Sequence, residues 1–309
     1  MIHPLHSIVV PVYKSDRSLR ELYERTRSVF QHIDEAFELI LVEDCGGDNS
    51  WRIMRSLRNQ DERVKILRLT KNFGQHNALM CGFSQASGDF IITMDDDLQT
   101  PPEEIPKLIT GIKDSDFDVV YGISSEKKHS LIRNLGSCVY RCFMSSIFKQ
   151  MPRFQLSNFR IIRKDVIKHI LDIPTPNPLV GLLLLKVTHR IGSVETEHHQ
   201  RKYGKTTYNP MKLIQHFLNG ILYNSTLPLK GVCILGIFTS TISIVLCMYY
   251  FYLYFSGQIG VQGWITIILL ILFFFGILMF SVGIIGEYLL RIIQEIDKTP
   301  TYLVKDKDV

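Results

Sequence analysis

The sequence predicts an α/β fold with a mostly parallel sheet, followed by an apolar C-terminal region. Residues 6–125 alternate between short apolar runs and longer amphipathic segments, an order typical of parallel sheets covered by helices. Polar loops follow three of these runs, at 13–16, 43–50 and 95–104. Residues 231–286 contain no Asp, Glu, Lys or Arg. The chain of 309 residues therefore has room for one large domain and an appendage.

Each element of the first half has a local pattern. Apolar, β-branched runs predict strands at 7–13, 37–42, 64–69, 89–94 and 118–122. Amphipathic spacing predicts helices at 17–33, 50–59 and 74–86, and Pro101 and Pro102 begin another. Residues 127–150 and 155–195 have the pattern of further helices and short strands. Since ligands bind beyond the carboxyl ends of parallel strands, the three polar loops are expected at one edge.

The charge-free segment 231–286 is long enough for two membrane helices of about 20 residues each. We place them near 231–254 and 264–286, with a turn at 256–260. We expect four regions. They are a cytoplasmic domain at 1–208, an amphipathic helix along the membrane surface at 209–228, a transmembrane hairpin at 229–288 and a cytoplasmic tail at 289–309. A buried helix hairpin is the alternative for 229–288, and a core helix for 209–228.

Charges beside the apolar segment predict its orientation. Lys and Arg residues flank the two spans on the outside, whereas the connecting turn is uncharged. The positive-inside rule therefore places both termini in the cytoplasm, and no cleavable signal precedes the first strand. The net charge of +5 suits an anionic membrane surface, and no array of basic and aromatic residues indicates a nucleic-acid partner.

The most informative motif is the acidic run Asp95, Asp96 and Asp97, which ends a buried strand. Three carboxylates at such a place repel one another and lose hydration, so a compensating charge is needed. A divalent cation, Mg²⁺ or Mn²⁺, bound to a diphosphate would supply it, because such cations take one or two carboxylates together with substrate phosphates. The alternative is a solvated acidic turn that caps the next helix.

The ordered motifs resemble those of family-2 glycosyltransferases of the polyprenyl-phosphate type. The matching segments, in chain order, are VVPVY at 9–13, VED…DNS at 42–50, KNFGQHNA at 71–78, DDDLQTPPE at 95–103, GEYLLR at 286–291 and PTY at 300–302. The resemblance covers nearly the whole chain and implies a GT-A nucleotide-diphospho-sugar domain. Within the family, the pattern is most similar to undecaprenyl-phosphate 4-deoxy-4-formamido-arabinose transferases, and next to bactoprenol glucosyltransferases.

The resemblance also implies roles for individual residues on the donor side. Asp97 and Gln99 would coordinate the cation that bridges the two phosphates of a nucleotide-sugar donor. Asp95, together with Asp96, would lie at the nucleoside end. The base and ribose pocket would be formed by Pro11, Tyr13 and Asp44.

On the acceptor side, the resemblance implies a polyprenyl phosphate. This phosphate is already ionised near neutral pH, so basic residues are needed more than a strong general base. The positions that match are Arg133, Ser137 one helical turn later, and Arg201. Arginine suits this role because its planar fork binds phosphate through two hydrogen bonds. An exposed arginine without a ligand is the alternative at both arginine positions.

Several positions depart from the family pattern. The usual Y-N-E motif is Tyr13-Lys14-Ser15, Glu43 replaces an Asp, and Asp96 stands where a small residue is usual. An arginine expected near Ser124 is absent, and Thr207 replaces the lysine of an S-K-Y motif. The departures bear on which sugar is used. They leave Asp97 and Gln99 intact.

The function expected is an inverting transferase that moves a sugar from a nucleotide-sugar, with UDP as the expected nucleotide, to undecaprenyl phosphate. One alternative is a processive polysaccharide synthase, but the Q-x-x-R-W motif of those enzymes has no counterpart, since the two tryptophans are Trp51 and Trp264. The other is a membrane-anchored relic without catalysis, which the intact acidic run disfavours. Small residues in the second span allow helix packing within the chain or in a homo-oligomer.

Overall fold

The computed structural model describes residues 5–124, 156–175, 178–199, 263–296 and 300–309, with scattered positions between 234 and 256. The predicted acceptor residues Arg133, Ser137 and Arg201 lie outside the described residues. So do the predicted interfacial helix at 209–228 and most of the first predicted membrane span.

The first half of the chain alternates strands and helices in the predicted order. Its elements are β1 (His6–Val12), α1 (Leu19–Ile33), β2 (Phe37–Glu43), α2 (Ser50–Gln60), β3 (Val64–Leu69), α3 (Gln75–Phe83), β4 (Phe90–Thr93), α4 (Ile105–Lys113) and β5 (Val119–Ser124). A short 3₁₀ turn, Pro102–Glu104, precedes α4, with proline at the position where no amide hydrogen is needed. Most bounds agree with the sequence pattern to within two residues, and the main exception is α3, which ends at Phe83 rather than at residue 86.

The described part of the second half contains β6 (Arg160–Arg163), α5 (Lys164–Leu171), α6 (Val180–Val187), β7 (Ile191–Thr196), α7 (Trp264–Ile296) and β8 (Val304–Asp308). The described strands form one sheet of eight in the order β7-β5-β6-β4-β1-β2-β3-β8. Neighbours β4, β1, β2 and β3 run parallel, as do β5 and β7. β6 and β8 run antiparallel to their neighbours. The predicted α/β fold with a mostly parallel sheet is confirmed.

The core lies on both faces of the sheet. Alternate residues of β1 point to opposite faces. Ile8, Val10 and Val12 join a buried cluster with residues of α1, α2 and α4, whereas Val9 joins a second cluster with residues of α3, α5 and α6. Because helices cover both faces, the central strands are apolar at nearly every position, which explains their uninterrupted apolar runs.

The chain forms two structural units. One unit comprises 1–207 together with 299–309, and the other comprises 208–298. Helix α7 belongs to the second unit, and β8 returns to the first. Among the described residues, no helix is both long and apolar enough to cross a membrane.

Candidate functional site

Four neighbouring parallel strands, β4, β1, β2 and β3, end at one edge of the sheet, and the loops after them meet there. Three residues other than glycine adopt a left-handed backbone in these loops, one in each of three loops. They are Lys14 after β1, Cys45 after β2 and Leu98 after β4, with φ of 57°, 53° and 59°. Such conformations cost roughly 1–3 kcal/mol each and persist where surrounding contacts hold them, often at binding sites.

The acidic loop is joined to the first loop through Asp96. Its carboxylate accepts a hydrogen bond from the Tyr13 amide at 3.0 Å and another from the Ser15 hydroxyl. Burial raises the pKa of Asp96 to about 6 although both hydrogen bonds oppose the shift, and the charges of Asp95 and Asp97 add to the increase. Ser15, which departs from the family motif, therefore pairs directly with Asp96, which also departs from it.

Asp95 lies between two amide side chains. Gln75 at the start of α3 donates to its Oδ1 at 2.5 Å, and Asn158 just before β6 donates to the same oxygen at 3.4 Å. Burial raises the pKa of Asp95, and the neighbouring negative charge of Asp97 raises it further. A positive charge bound beside these carboxylates would therefore be stabilising.

Asp97 and Gln99 lie in one tight turn. The Gln99 amide donates to Asp97 Oδ1 at 3.0 Å, and Leu98 between them is buried. Within the described residues, no three or more His, Cys, Asp or Glu side chains are arranged to hold a metal ion. The oxygen donors of this turn nevertheless fit a hard divalent cation that takes its remaining ligands from substrate phosphates.

Asp44 is 3% exposed and fixes the segment after β3. Its two carboxylate oxygens accept the backbone amides of Phe73 at 2.7 Å and Gly74 at 2.8 Å. Burial raises the pKa of Asp44, and the two hydrogen bonds counteract part of this increase. In this structure Asp44 therefore shapes the predicted nucleoside pocket through the backbone at Phe73 and Gly74.

The second loop packs closely against the first. Asp48 accepts the Asp16 amide at 3.2 Å and the Ser50 hydroxyl at 2.7 Å, and the Ser15 amide donates to Ser50 Oγ at 3.1 Å. A Cβ added at Gly46 would lie 2.8 Å from the Lys14 amide nitrogen, so only glycine fits there. The two loops therefore form one interlocked wall beside the acidic loop.

Pro11 and Tyr13 have different environments. Pro11 is buried in β1, whereas the Tyr13 side chain is 47% exposed and carries the Lys14 ammonium 5.3 Å from its ring centroid. The Tyr13 amide is held by Asp96. An exposed aromatic ring on an anchored backbone offers a flat apolar surface next to the acidic loop.

Some contacts of this edge are not apparent from the sequence. The segment after β7 lies against the acidic loop, because the His199 amide donates to the Gln99 carbonyl at 2.7 Å and the Glu197 amide donates to Glu104 at 3.0 Å. Arg160 is 1% exposed and donates to Thr93 at 3.2 Å, and its positive charge opposes a small part of the rise that burial causes in the pKa of nearby Asp95. Arg160 is the first residue of β6, which reads RIIR, and no local pattern distinguishes it as part of the site.

The residue pattern and the fold are matched by known proteins. Residues 7–169 match the model of the glycosyl transferase family 2. Over 302 residues, the chain is 30% identical to the undecaprenyl-phosphate 4-deoxy-4-formamido-L-arabinose transferases of Yersinia enterocolitica and Proteus mirabilis. Each alignment covers 97% of this chain and 92% of the relative. The chain belongs to glycosyl transferase family 2 and is a glycosyltransferase, which confirms the resemblance.

A solved structure agrees on the fold. Glucosyl-3-phosphoglycerate synthase from Mycobacterium tuberculosis, in complex with Mn²⁺ and uridine-diphosphate-glucose, superposes with a TM-score of 0.51 and 13% sequence identity. The superposition covers 71% of this chain and 77% of that chain. The described strands and helices of the first unit therefore form a GT-A-like fold.

Proposed function

We propose that this glycosyltransferase moves one sugar from a UDP-sugar to undecaprenyl phosphate, with inversion at the sugar carbon. The product is a lipid-monophosphate-linked sugar of the kind used to build or modify cell-envelope polysaccharide, O-antigen or lipid A. The observation that carries the proposal is the joining of the acidic loop to the first loop through Asp96, which creates one polar site at the carboxyl edge. Similarity to transferases named for undecaprenyl phosphate supports the acceptor.

The donor would lie across this edge. Tyr13 would present its exposed ring to the base, and the loop held by Asp44 would border the nucleoside. Asp97 and Gln99 would hold Mg²⁺ or Mn²⁺ beside the diphosphate. When bound, the cation neutralises charge that develops on the departing nucleoside diphosphate. The raised pKa values of Asp95 and Asp96 support a site that gains stability when positive charge is added.

The acceptor phosphate would be bound by Arg133, Ser137 and Arg201. An ionised phosphate oxygen attacks the sugar carbon directly, the bond from that carbon to the donor's phosphate oxygen breaks, and the pair of electrons leaves with the nucleoside diphosphate. One direct attack gives inversion. The residues of this chain that act on the acceptor therefore bind and orient it rather than remove a proton.

The lipid acceptor requires contact with a membrane. We propose that the segment 229–288 forms a transmembrane hairpin, that 209–228 lies along the membrane surface and that both termini are in the cytoplasm. The charge-free stretch at 231–286 supports this placement. So do large apolar side chains of α7 that are exposed in the isolated chain, such as Phe273, Phe275 and Phe280 at 55–62%.

Sugar transfer with the purified full-length protein tests the proposal. The protein is incubated with undecaprenyl phosphate, Mn²⁺ or Mg²⁺, and each of a panel of labelled UDP-sugars. The mass of the lipid product is measured by mass spectrometry. We expect one donor to add a single sugar to undecaprenyl phosphate and none to undecaprenol, the matched control without phosphate. A polymer would instead indicate a processive synthase, and absence of transfer from every donor would contradict the proposal.

The same assay tests the acceptor residues. A charge-assisted hydrogen bond is worth roughly 1.5–3 kcal/mol, so Arg133→Ala or Arg201→Ala should lower kcat/KM for the lipid about ten- to a hundredfold. The KM for the donor should change little in either variant. The control is Arg52→Ala, at an exposed position on α2, and its donor KM should also change little. A higher donor KM with unchanged lipid kinetics would mean that the acceptor site lies elsewhere.

A further inference from the structure

The C-terminal strand β8 forms the edge of the sheet beside β3. Leu67 pairs with Lys307 and Arg68 with Asp306, in antiparallel orientation. An ion pair joins Arg58 Nε of α2 to Asp308 Oδ1 at 3.0 Å. Beyond the strand pairing, the amide of Thr70 donates to the carbonyl of Leu303 at 2.9 Å. The tail therefore continues to contact the chain after β3 has ended.

Thr70 begins a short segment that contacts the predicted donor site twice. The amides of Phe73 and Gly74 hold the two oxygens of Asp44, and the Gln75 side chain holds Asp95. We define residues 70–75 as the donor segment. Gly74 in this segment has φ of 88°, a conformation that glycine adopts without steric cost. Because glycine allows several backbone paths, the path of the donor segment depends on the contacts at its two ends.

The tail also holds the helix that follows the donor segment. Helix α3 runs from Gln75 to Phe83, and Ser84 is its C-cap. Half-buried Tyr302 packs against the buried cluster that contains Leu79, Cys81 and Phe83 of α3, and its hydroxyl pairs with Ser84. Burial raises the pKa of Tyr302, in keeping with a ring packed into the core. The tail thus contacts the chain on both sides of residues 71–83.

We propose that residues 301–309 are a positioning element of the donor site, and that they orient the donor segment for nucleotide binding. The proposal rests on the donor role proposed for Asp44 and Asp95. Without the tail, the Thr70 amide loses its partner, β3 becomes an open edge and the Tyr302 ring no longer packs against α3. The donor segment then samples paths in which Phe73, Gly74 and Gln75 do not hold the two carboxylates.

The test measures nucleotide binding to full-length protein and to a variant that ends at Pro300. Titrations use UDP, GDP, CDP and dTDP with Mn²⁺, and the nucleotide bound by the full-length protein is used for comparison. We expect the truncation to weaken its binding at least tenfold and to raise the donor KM while the lipid KM changes less than twofold. A synthetic peptide of residues 301–309, added at millimolar concentration, should restore binding by adding a strand to β3.

Controls separate positioning from general destabilisation. A variant that lacks only Val309, which lies beyond β8, should bind nucleotide as the full-length protein does. If the truncated protein fails to fold, Tyr302→Ala is measured against Tyr302→Phe, and we expect weaker nucleotide binding only in the alanine variant. Unchanged nucleotide binding in a folded truncation, or in Tyr302→Ala, would overturn the proposal and leave the proposed function intact. If the full-length protein binds no nucleotide, both are overturned.

Discussion

At the residue scale, the carboxylates of the acidic loop differ in their partners. Asp96 is held by the first loop, Asp95 by Gln75 and Asn158, and Asp97 by the Gln99 amide. Sequence reasoning finds the three acids because they end an apolar run. It does not find Gln75 or Asn158, because their side chains reach Asp95 only after β3, β4 and β6 have taken their places in the sheet. Local sequence patterns predict which residue types gather at an edge, and long-range packing decides their partners.

A buried histidine makes the stability of the first unit depend on pH. His6 is fully buried between the rings of Phe30 and Phe90, at centroid distances of 5.5 and 5.6 Å, and pairs with Glu35. Burial lowers the pKa of His6 below its ordinary value of 6.5, although Glu35 opposes the shift. As pH falls below 6.5, the unfolded chain takes up a proton that the folded chain does not, so the folded state loses stability.

Thermal unfolding of wild type and His6→Phe checks this prediction. Between pH 7.5 and 5.5, His6 should cost the wild type up to about 1.4 kcal/mol, or about 3–6 °C in Tm. The phenylalanine keeps a ring between Phe30 and Phe90 but cannot titrate, so its Tm should fall less. The pKa of Asp96, about 6, lies in the same range, but its contribution is common to both proteins and cancels in the comparison. Equal changes in Tm would contradict the prediction.

At the scale of elements, the strands inside the sheet were predictable and the edge strand β8 was not. Central strands are buried on both faces, so their sequences are apolar runs that local reasoning detects. Strand β8 reads VKDKD, with four of its five residues exposed, and its charged residues give no strand pattern. It forms because β3 offers an unpaired edge, which depends on the assembled sheet. The sequence alone therefore predicted residues 289–309 to be a tail.

The proposed transmembrane hairpin predicts the sides on which its turn and the C terminus lie. In a variant without native cysteines, Gly257→Cys should react with a membrane-impermeant maleimide added to intact bacterial cells. Lys305→Cys, on the exposed side of β8, should react only after the membrane is opened. The reason is that only the uncharged turn would be outside the cytoplasm. Reaction of both cysteines from the same side would contradict the two-span hairpin.

At the scale of the whole molecule, the chain leaves the first unit after residue 207 and returns to it at residue 299. The family match defines the reaction class, and the carboxyl edge of the sheet supplies the candidate site. The proposed function requires that this edge binds a nucleotide-sugar with a divalent cation at Asp97. Side chains around the donor decide which sugar is used, and no sequence motif specifies them. The panel of labelled UDP-sugars is therefore needed to identify the sugar.

The most direct test of that claim is calorimetric titration of UDP into the full-length protein with and without Mn²⁺, in wild type and Asp97→Asn. Asp89→Asn is the matched control, because Asp89 is exposed and lies at the amino end of β4, the opposite end from the acidic loop. We predict that Mn²⁺ strengthens UDP binding in wild type and Asp89→Asn, and that Asp97→Asn loses at least tenfold of this affinity because the cation loses a charged ligand. Equal Mn²⁺-dependent binding in wild type and Asp97→Asn would contradict the account.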